Sequence, residues 1–97
     1  MTDHTLIFGH RGAPFDFPEN SLAGFKYALA HHIDGLEFDV HLSKDQIPVV
    51  IHDETLDRTT NGSGRVHDYT LKQLRNFHLA NGEPIPTLKE VLSLLAG

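Results

Sequence analysis

The sequence predicts an α/β chain, and three observations carry that prediction. A short apolar run, Leu6-Ile7-Phe8, ends at a glycine and leads through a proline-marked loop into a stretch of helical periodicity. Leu36 to Leu42 then alternates apolar and polar residues with the period of two that a strand requires. Farther on, Thr70-Leu71-Lys72-Gln73 and Thr87-Leu88-Lys89-Glu90 both carry the capping-box pattern that opens a helix.

Taken in order, Leu6-Ile7-Phe8 reads as a buried strand that opens at Gly9 into a loop over His10-Arg11-Gly12, where Pro14 and Pro18 forbid regular structure. Asn20 can cap the helix that follows, in which Leu22, Phe25, Leu29 and Ile33 share a face, and Asp34-Gly35 offers a stop. In the next strand Leu36, Phe38, Val40 and Leu42 lie on one side, with Glu37, Asp39 and His41 on the other. Ile47 to Ile51 is a β-branched run broken only by Pro48, which suggests an edge strand. The connection between these two strands is too short for a parallel crossover, so a hairpin is expected. With Asp45-Gln46 as its turn, Leu42 would face Val49, Val40 would face Ile51, and Asp39 would face His52. Asp57 to Asp68 reads as loop, and the last helix would bury Leu88, Val91, Leu92 and Leu95 before Gly97.

Composition narrows the function. The 97 residues have the makeup of one globular domain, with no repeat, linker or low-complexity tract to divide it. A net charge of −5 with scattered Lys and Arg gives no basic field for a nucleic acid, and no apolar run is long enough for stable membrane insertion. The start of the chain lacks the basic-then-apolar pattern of a secretion signal, so a cytoplasmic location is expected. Without cysteine there is no thiolate metal site and no disulfide framework. Histidine, at eight residues, is the unusual component.

The acidic strand face is where chemistry is expected. A lone Glu-x-Asp on a strand is more often a solvated face, since antiparallel sheets commonly expose one side. Here Glu37 and Asp39 would be joined by His52 through the hairpin and by His10 at the mouth of the first strand. Two carboxylates on one face repel unless a cation or protonation relieves them, and their hard oxygens suit Mg²⁺, Ca²⁺ or Mn²⁺. Two imidazoles can serve as general acid and base near neutral pH, as breaking a phosphodiester requires. The guanidinium of Arg11 offers a planar fork for a phosphate, with a surface salt bridge as its plainer role. His4, His31, His32, His67 and His78 read as surface or packing residues, and His41 remains open between the two groups.

Six stretches resemble the glycerophosphodiester phosphodiesterase family in order and spacing: Gly9-His10-Arg11-Gly12, Pro18-Glu19-Asn20-Ser21, Gly35-Leu36-Glu37-Phe38-Asp39-Val40, Val49-Val50-Ile51-His52-Asp53, Leu56-Asp57-Arg58-Thr59-Thr60 and Ile85-Pro86-Thr87-Leu88. The resemblance implies a (β/α)₈ TIM barrel of the PLC-like phosphodiesterase type with its site at the carboxyl ends of the strands. Such a barrel takes about 250 residues, so residues 1–97 are expected to be the N-terminal portion of one domain, truncated before the barrel closes. The resemblance further implies His10 and His52 as the acid and base pair, in either order, Arg11 on the substrate phosphate, and Glu37 and Asp39 on a divalent cation, Mg²⁺ or Ca²⁺. A third metal carboxylate would lie beyond the chain.

The implied reaction is hydrolysis of a glycerophosphodiester, a small-molecule substrate, to an alcohol and glycerol 3-phosphate by way of a cyclic phosphate. Little or no activity is expected of the truncated chain. Two other readings differ in kind. Open barrel edges would invite self-association of a non-catalytic module that binds a cation or phosphate. A lysophospholipid or sphingolipid substrate, as in resembling toxins, is disfavoured by the absence of cysteine and of a secretion signal.

Overall fold

The computed structural model describes residues 8–12, 16–31 and 35–96, with side chains from 11 onward. His4, Pro14, His32, Ile33, Asp34 and Gly97 lie outside the described residues. Strand β1 (Phe8–His10) pairs in parallel with β2 (Gly35–Glu37), setting Gly9 opposite Leu36 and His10 opposite Glu37. Helix α1 (Leu22–Ala30) joins them and packs on both, which makes a βαβ unit, the repeating element of a parallel barrel.

The helix is capped by Ser21 rather than by Asn20. The Ser21 hydroxyl accepts the Gly24 N–H at 3.0 Å, while Asn20 takes a left-handed backbone with φ 56°. Asparagine tolerates that conformation better than serine does, so the pair divides the work of turning the chain and capping it. Gly12, at φ 85°, lies so near the helix start that an added Cβ would sit 3.2 Å from the Gly24 carbonyl carbon and the Phe25 nitrogen.

The single strand expected over 36–42 is instead two. After Phe38-Asp39, β3 (Val40–Leu42) leaves the first sheet and pairs antiparallel with β4 (Pro48–Val50). The hairpin forms as expected, but its register is one residue off: Val40 faces Val50, His41 faces Val49 and Leu42 faces Pro48. The turn is the cause. A two-residue hairpin turn on Asp45-Gln46 would need positive φ at Asp45, and at Gln46 too in its type I′ form, which favours glycine. The chain uses a three-residue loop, in which only Gln46 is left-handed (φ 64°) and Ser43 N–H donates to Ile47 O. The Ser43 hydroxyl accepts the Ile47 N–H at 2.9 Å and bonds to the Asp45 carboxylate, which also accepts the Leu71 N–H. Pro48 stands at the first position of β4, where its missing N–H is tolerated.

One residue of slip exchanges the faces of a strand. Val40 and Leu42, expected to meet Ile51 and Val49, are 41 % and 45 % exposed. The partners of β4 come from farther along the chain. Val49 and Ile51 pack with Leu56, Val66, Leu74, Leu79 and Ile85 on one side, and Val50 packs with Phe25 and Val91 on the other. Full burial of such a side chain stabilises by roughly 1.5–3 kcal/mol, so β4 is the axis of the core.

The stretch expected as loop holds more order than its glycines suggest. Bridges join Thr55 to Arg65 and Thr60 to Leu79, and a 3₁₀ turn spans Val66–Asp68. Helix α2 (Leu71–Leu74) opens with the capping box predicted at Thr70. At Thr87 the second box forms as well, Glu90 accepting the Thr87 N–H and the Thr87 hydroxyl accepting the Glu90 N–H ahead of α3 (Leu88–Ala96). The core-facing stripe of α3 runs through buried Val91 and partly buried Leu88 and Leu94, whereas Leu92 and Leu95, expected inside, are exposed. No helix among the described residues is long and apolar enough to cross a membrane.

Candidate active site

The parallel pairing of β1 and β2 sets the backbone of His10 beside that of Glu37, and the chain then turns sharply. Arg11 N–H donates to Glu37 O at 2.6 Å, and Arg11 O accepts the Asn20 N–H at 2.8 Å. Arg11 (φ 57°) and Asn20 (φ 56°) are both left-handed. For residues other than glycine such backbone costs about 1–3 kcal/mol each, and it concentrates where a structure must aim a side chain.

What is aimed is the Arg11 guanidinium. Its Nε stands 3.9 Å from Asp39 Oδ2 and one terminal nitrogen lies 3.5 Å from Glu19 Oε2, neither distance short enough for a strong hydrogen bond. Among the described residues Arg11 Nε and Asp39 Oδ2 are both buried without a hydrogen-bond partner, as are both polar atoms of the Asn20 side chain. Buried polar atoms are nearly always satisfied, so an arginine nitrogen and a carboxylate oxygen left open side by side suit an added anion and cation. Glu37 is exposed at the end of β2.

Asp39 and Glu37 supply hard oxygens of the kind a divalent cation takes, and the unbonded Asp39 Oδ2 fits that role. Among the described residues no group of three His, Asp or Glu side chains is arranged to hold an ion. The side chain of His10 lies outside the described residues, so only its backbone position can be given.

His52 follows β4 and is exposed, away from the pairing with Asp39 that the expected register gave it. Asp39 faces Ile51 instead, its carbonyl accepting the Ile51 N–H at 3.1 Å. The His52 ring is held by its neighbour: Nδ1 is 2.7 Å from Asp53 Oδ1. Arg58 in turn grips Asp53 through Nε at 2.8 Å and a terminal nitrogen at 3.0 Å, and grips Glu19 through its two terminal nitrogens at 2.7 and 2.9 Å. The hydrogen bonds from Arg58, and secondarily the one from His52, hold the Asp53 carboxyl far below the usual carboxylate range. Arg58 likewise holds Glu19 low, mainly by hydrogen bonding.

A line of alternating charge therefore runs from Asp39 through Arg11, Glu19, Arg58 and Asp53 to His52. Sequence reasoning assigned no role to Glu19, Asp53 or Arg58. All three stand in the stretches that carry the family resemblance, but Glu19 and Arg58 are 39 residues apart and no periodicity links them. His41, left open by the sequence, donates Nε2–H to the His52 carbonyl at 2.9 Å and so braces that segment. His31 stacks on Tyr27 at 3.9 Å between ring centroids, and His67 reaches toward the Leu42 carbonyl, both in keeping with packing roles.

Residues 10–97 match the model of the glycerophosphoryl diester phosphodiesterase family. The chain belongs to that family. It is 48 % identical over 98 residues to a glycerophosphodiester phosphodiesterase of Caldanaerobacter subterraneus, covering 94 % of this chain and 40 % of that protein. Its fold superposes with a TM-score of 0.90 on the crystal structure of a glycerophosphodiester phosphodiesterase from Agrobacterium tumefaciens, at 38 % identity, over 95 % of this chain and 43 % of that one. A phosphodiesterase from Oleispira antarctica, solved in complex with the product sn-glycerol-3-phosphate, gives a TM-score of 0.89 at 35 % identity over 95 % of this chain and 40 % of its own. The chain thus spans about two-fifths of the length of the relatives it matches. Its α/β architecture is that of an incomplete TIM barrel of this family, comprising the first βαβ unit and the hairpin and helices after it.

Proposed function

We propose that these residues form the N-terminal part of the active site of a divalent-cation-dependent glycerophosphodiester phosphodiesterase, which hydrolyses its substrate to an alcohol and glycerol 3-phosphate. The observation that carries this is the open pair at the end of the parallel strands: Arg11 Nε and Asp39 Oδ2, buried and unbonded 3.9 Å apart. An arginine with spare donors takes a phosphate, and a carboxylate with a spare oxygen takes a metal. The product bound in the Oleispira relative is of the same class.

In this scheme Arg11 holds the phosphate, Glu37 and Asp39 hold a Mg²⁺ or Ca²⁺ ion, and His10 and His52 exchange protons. The bound ion supplies charge stabilisation at the phosphoryl oxygens. The glycerol 2-hydroxyl attacks phosphorus and the bond to the alcohol oxygen breaks. One histidine takes the hydroxyl proton and the other gives a proton to the departing alcohol. Water then opens the cyclic phosphate with the proton roles reversed.

The test is a chimera in which residues 10–97 replace the matching portion of the Caldanaerobacter relative, assayed for glycerol 3-phosphate release from glycerophosphocholine. Release that depends on Mg²⁺ or Ca²⁺ and falls by about 10²–10⁴ in a His52→Ala chimera is the expected result. A folded chimera that is inactive while its parent turns over would overturn the proposal. The 97-residue chain alone is expected to show little turnover, since two carboxylates make a weak metal site.

A further inference from the structure

Beyond the groups that would meet substrate, the line of charge behind His52 has a consequence for the chemistry of that ring. Asp53 is ionised, and a carboxylate can only accept. The 2.7 Å contact to His52 Nδ1 therefore places a proton on Nδ1, and in the neutral ring Nε2 is left as the free acceptor. A carboxylate that is still a quarter exposed, beside an exposed histidine, would not hold one orientation unaided. Arg58 removes that freedom by engaging both Asp53 oxygens, while Glu19, whose side chain is only 15 % exposed, engages both of its terminal nitrogens. His41 also holds this segment, through the His52 carbonyl.

We propose that Arg58 is a positioning residue for His52: anchored on Glu19, it locks the Asp53 carboxylate so that His52 is kept in the Nδ1–H tautomer with Nε2 presented for proton exchange. The proposal rests on the proposed role of His52 as an acid or base, but it predicts a property of the ring that needs no turnover to observe. It also gives Glu19 a purpose, since a guanidinium held at one end only would swing with its carboxylate rather than restrain it.

The experiment reads the ring nitrogens of His52 by two-bond ¹H–¹⁵N correlation in the ¹⁵N-labelled chain, at a pH where the ring is neutral. Wild type, Arg58→Gln, Arg58→Lys and Asp53→Asn are compared, with backbone amide dispersion as the check on folding. Wild type is expected to show Nδ1 as the protonated nitrogen. Arg58→Gln should give a mixture of tautomers, Arg58→Lys should restore part of the preference, and Asp53→Asn, which can offer an N–H to Nδ1, should shift the proton to Nε2. In the active chimera, Arg58→Gln should lower kcat by about 10–100-fold with KM within about threefold, as the loss of an orienting partner does elsewhere. A folded Arg58→Gln that keeps the wild-type tautomer would overturn the proposal, as would a folded Asp53→Asn that keeps it. Should the tautomer respond while the unmutated chimera shows no turnover, the assigned function fails and the positioning role stands.

Discussion

Arg11 and Arg58 share Glu19 as a partner, and there the likeness stops. Arg58 makes four hydrogen bonds of 2.7 to 3.0 Å to two carboxylates although half its side chain is exposed. Arg11 is the more buried, yet its approaches to carboxylates are 3.5 and 3.9 Å, and among the described residues its Nε makes no hydrogen bond. A guanidinium that has used its fork is an element of structure, and one that has kept it is available to a ligand. The comparison assigns Arg58 to holding the site and Arg11 to using it.

The largest effect expected from breaking this contrast is on catalysis at Arg11. Arg11→Lys keeps the charge but replaces the planar fork by a point charge. In the active chimera kcat/KM should fall about a hundred-fold, roughly 2.7 kcal/mol of transition-state stabilisation, while the midpoint of urea unfolding stays near that of the parent chimera. An unfolding midpoint that drops with activity unchanged would reverse the roles of the two arginines.

Stability is the complementary measurement. Arg58→Ala removes two bidentate contacts and leaves Asp53 and Glu19 facing one another across the gap. Exposed pairs contribute at most about 1 kcal/mol each, and the network geometry places the combined loss at roughly 1–2 kcal/mol. Arg11→Ala should cost less than about 0.5 kcal/mol, because contacts at 3.5 and 3.9 Å return little when lost. Urea unfolding of the two variants of the 97-residue chain, at neutral pH, checks both values.

Some local signals in the sequence proved reliable, while the Asn20 cap and the Asp45-Gln46 turn did not, and the residues show why. The capping boxes at Thr70 and Thr87 were legible because every group in them lies within four residues. The strand, loop and helix of the first unit were legible in succession, and their parallel pairing with β2 followed only from the barrel that the resemblance implies. The hairpin register was missed by one position because Ser43 and Gln46 together favour a three-residue loop, and that choice moved Asp39 away from His52. On α3 Leu88 and Val91 face the core as expected, but Leu92 and Leu95 were misplaced because five leucine or valine residues in nine fit more than one stripe, and only the position of Val50 and Phe25 selects Leu94. For the site, Arg11 and Asp39 were named and do lie together, while among the described residues the His52 ring is linked to them through Asp53, Arg58 and Glu19. An ion network is made by side chains meeting in space, and residue spacing carries no trace of it.

Acid offers the finest test of the same contrast. Glu19 and Asp53 have native carboxyl groups held below their unfolded values by Arg58, so the stability they contribute is complete above about pH 4 to 5 and is lost as pH falls through their native values. In wild type the urea midpoint should therefore begin to decline as the pH falls below about 4.5 and keep declining to the lowest pH at which unfolding can be followed, because Asp53 is held far below the usual carboxylate range. Arg58→Gln should flatten that decline without abolishing it. Asp45 remains held low by the Ser43 hydroxyl and the Leu71 N–H, and Glu90 remains low because bonds from Thr87 and Arg75 outweigh the effect of its burial. In Arg11→Ala the slope should stay close to wild type, since Arg11 is a minor influence on Glu19. Equal flattening in both variants would mean that the two guanidinium groups act as one cluster, and the division between a holding arginine and a binding one would have to be given up.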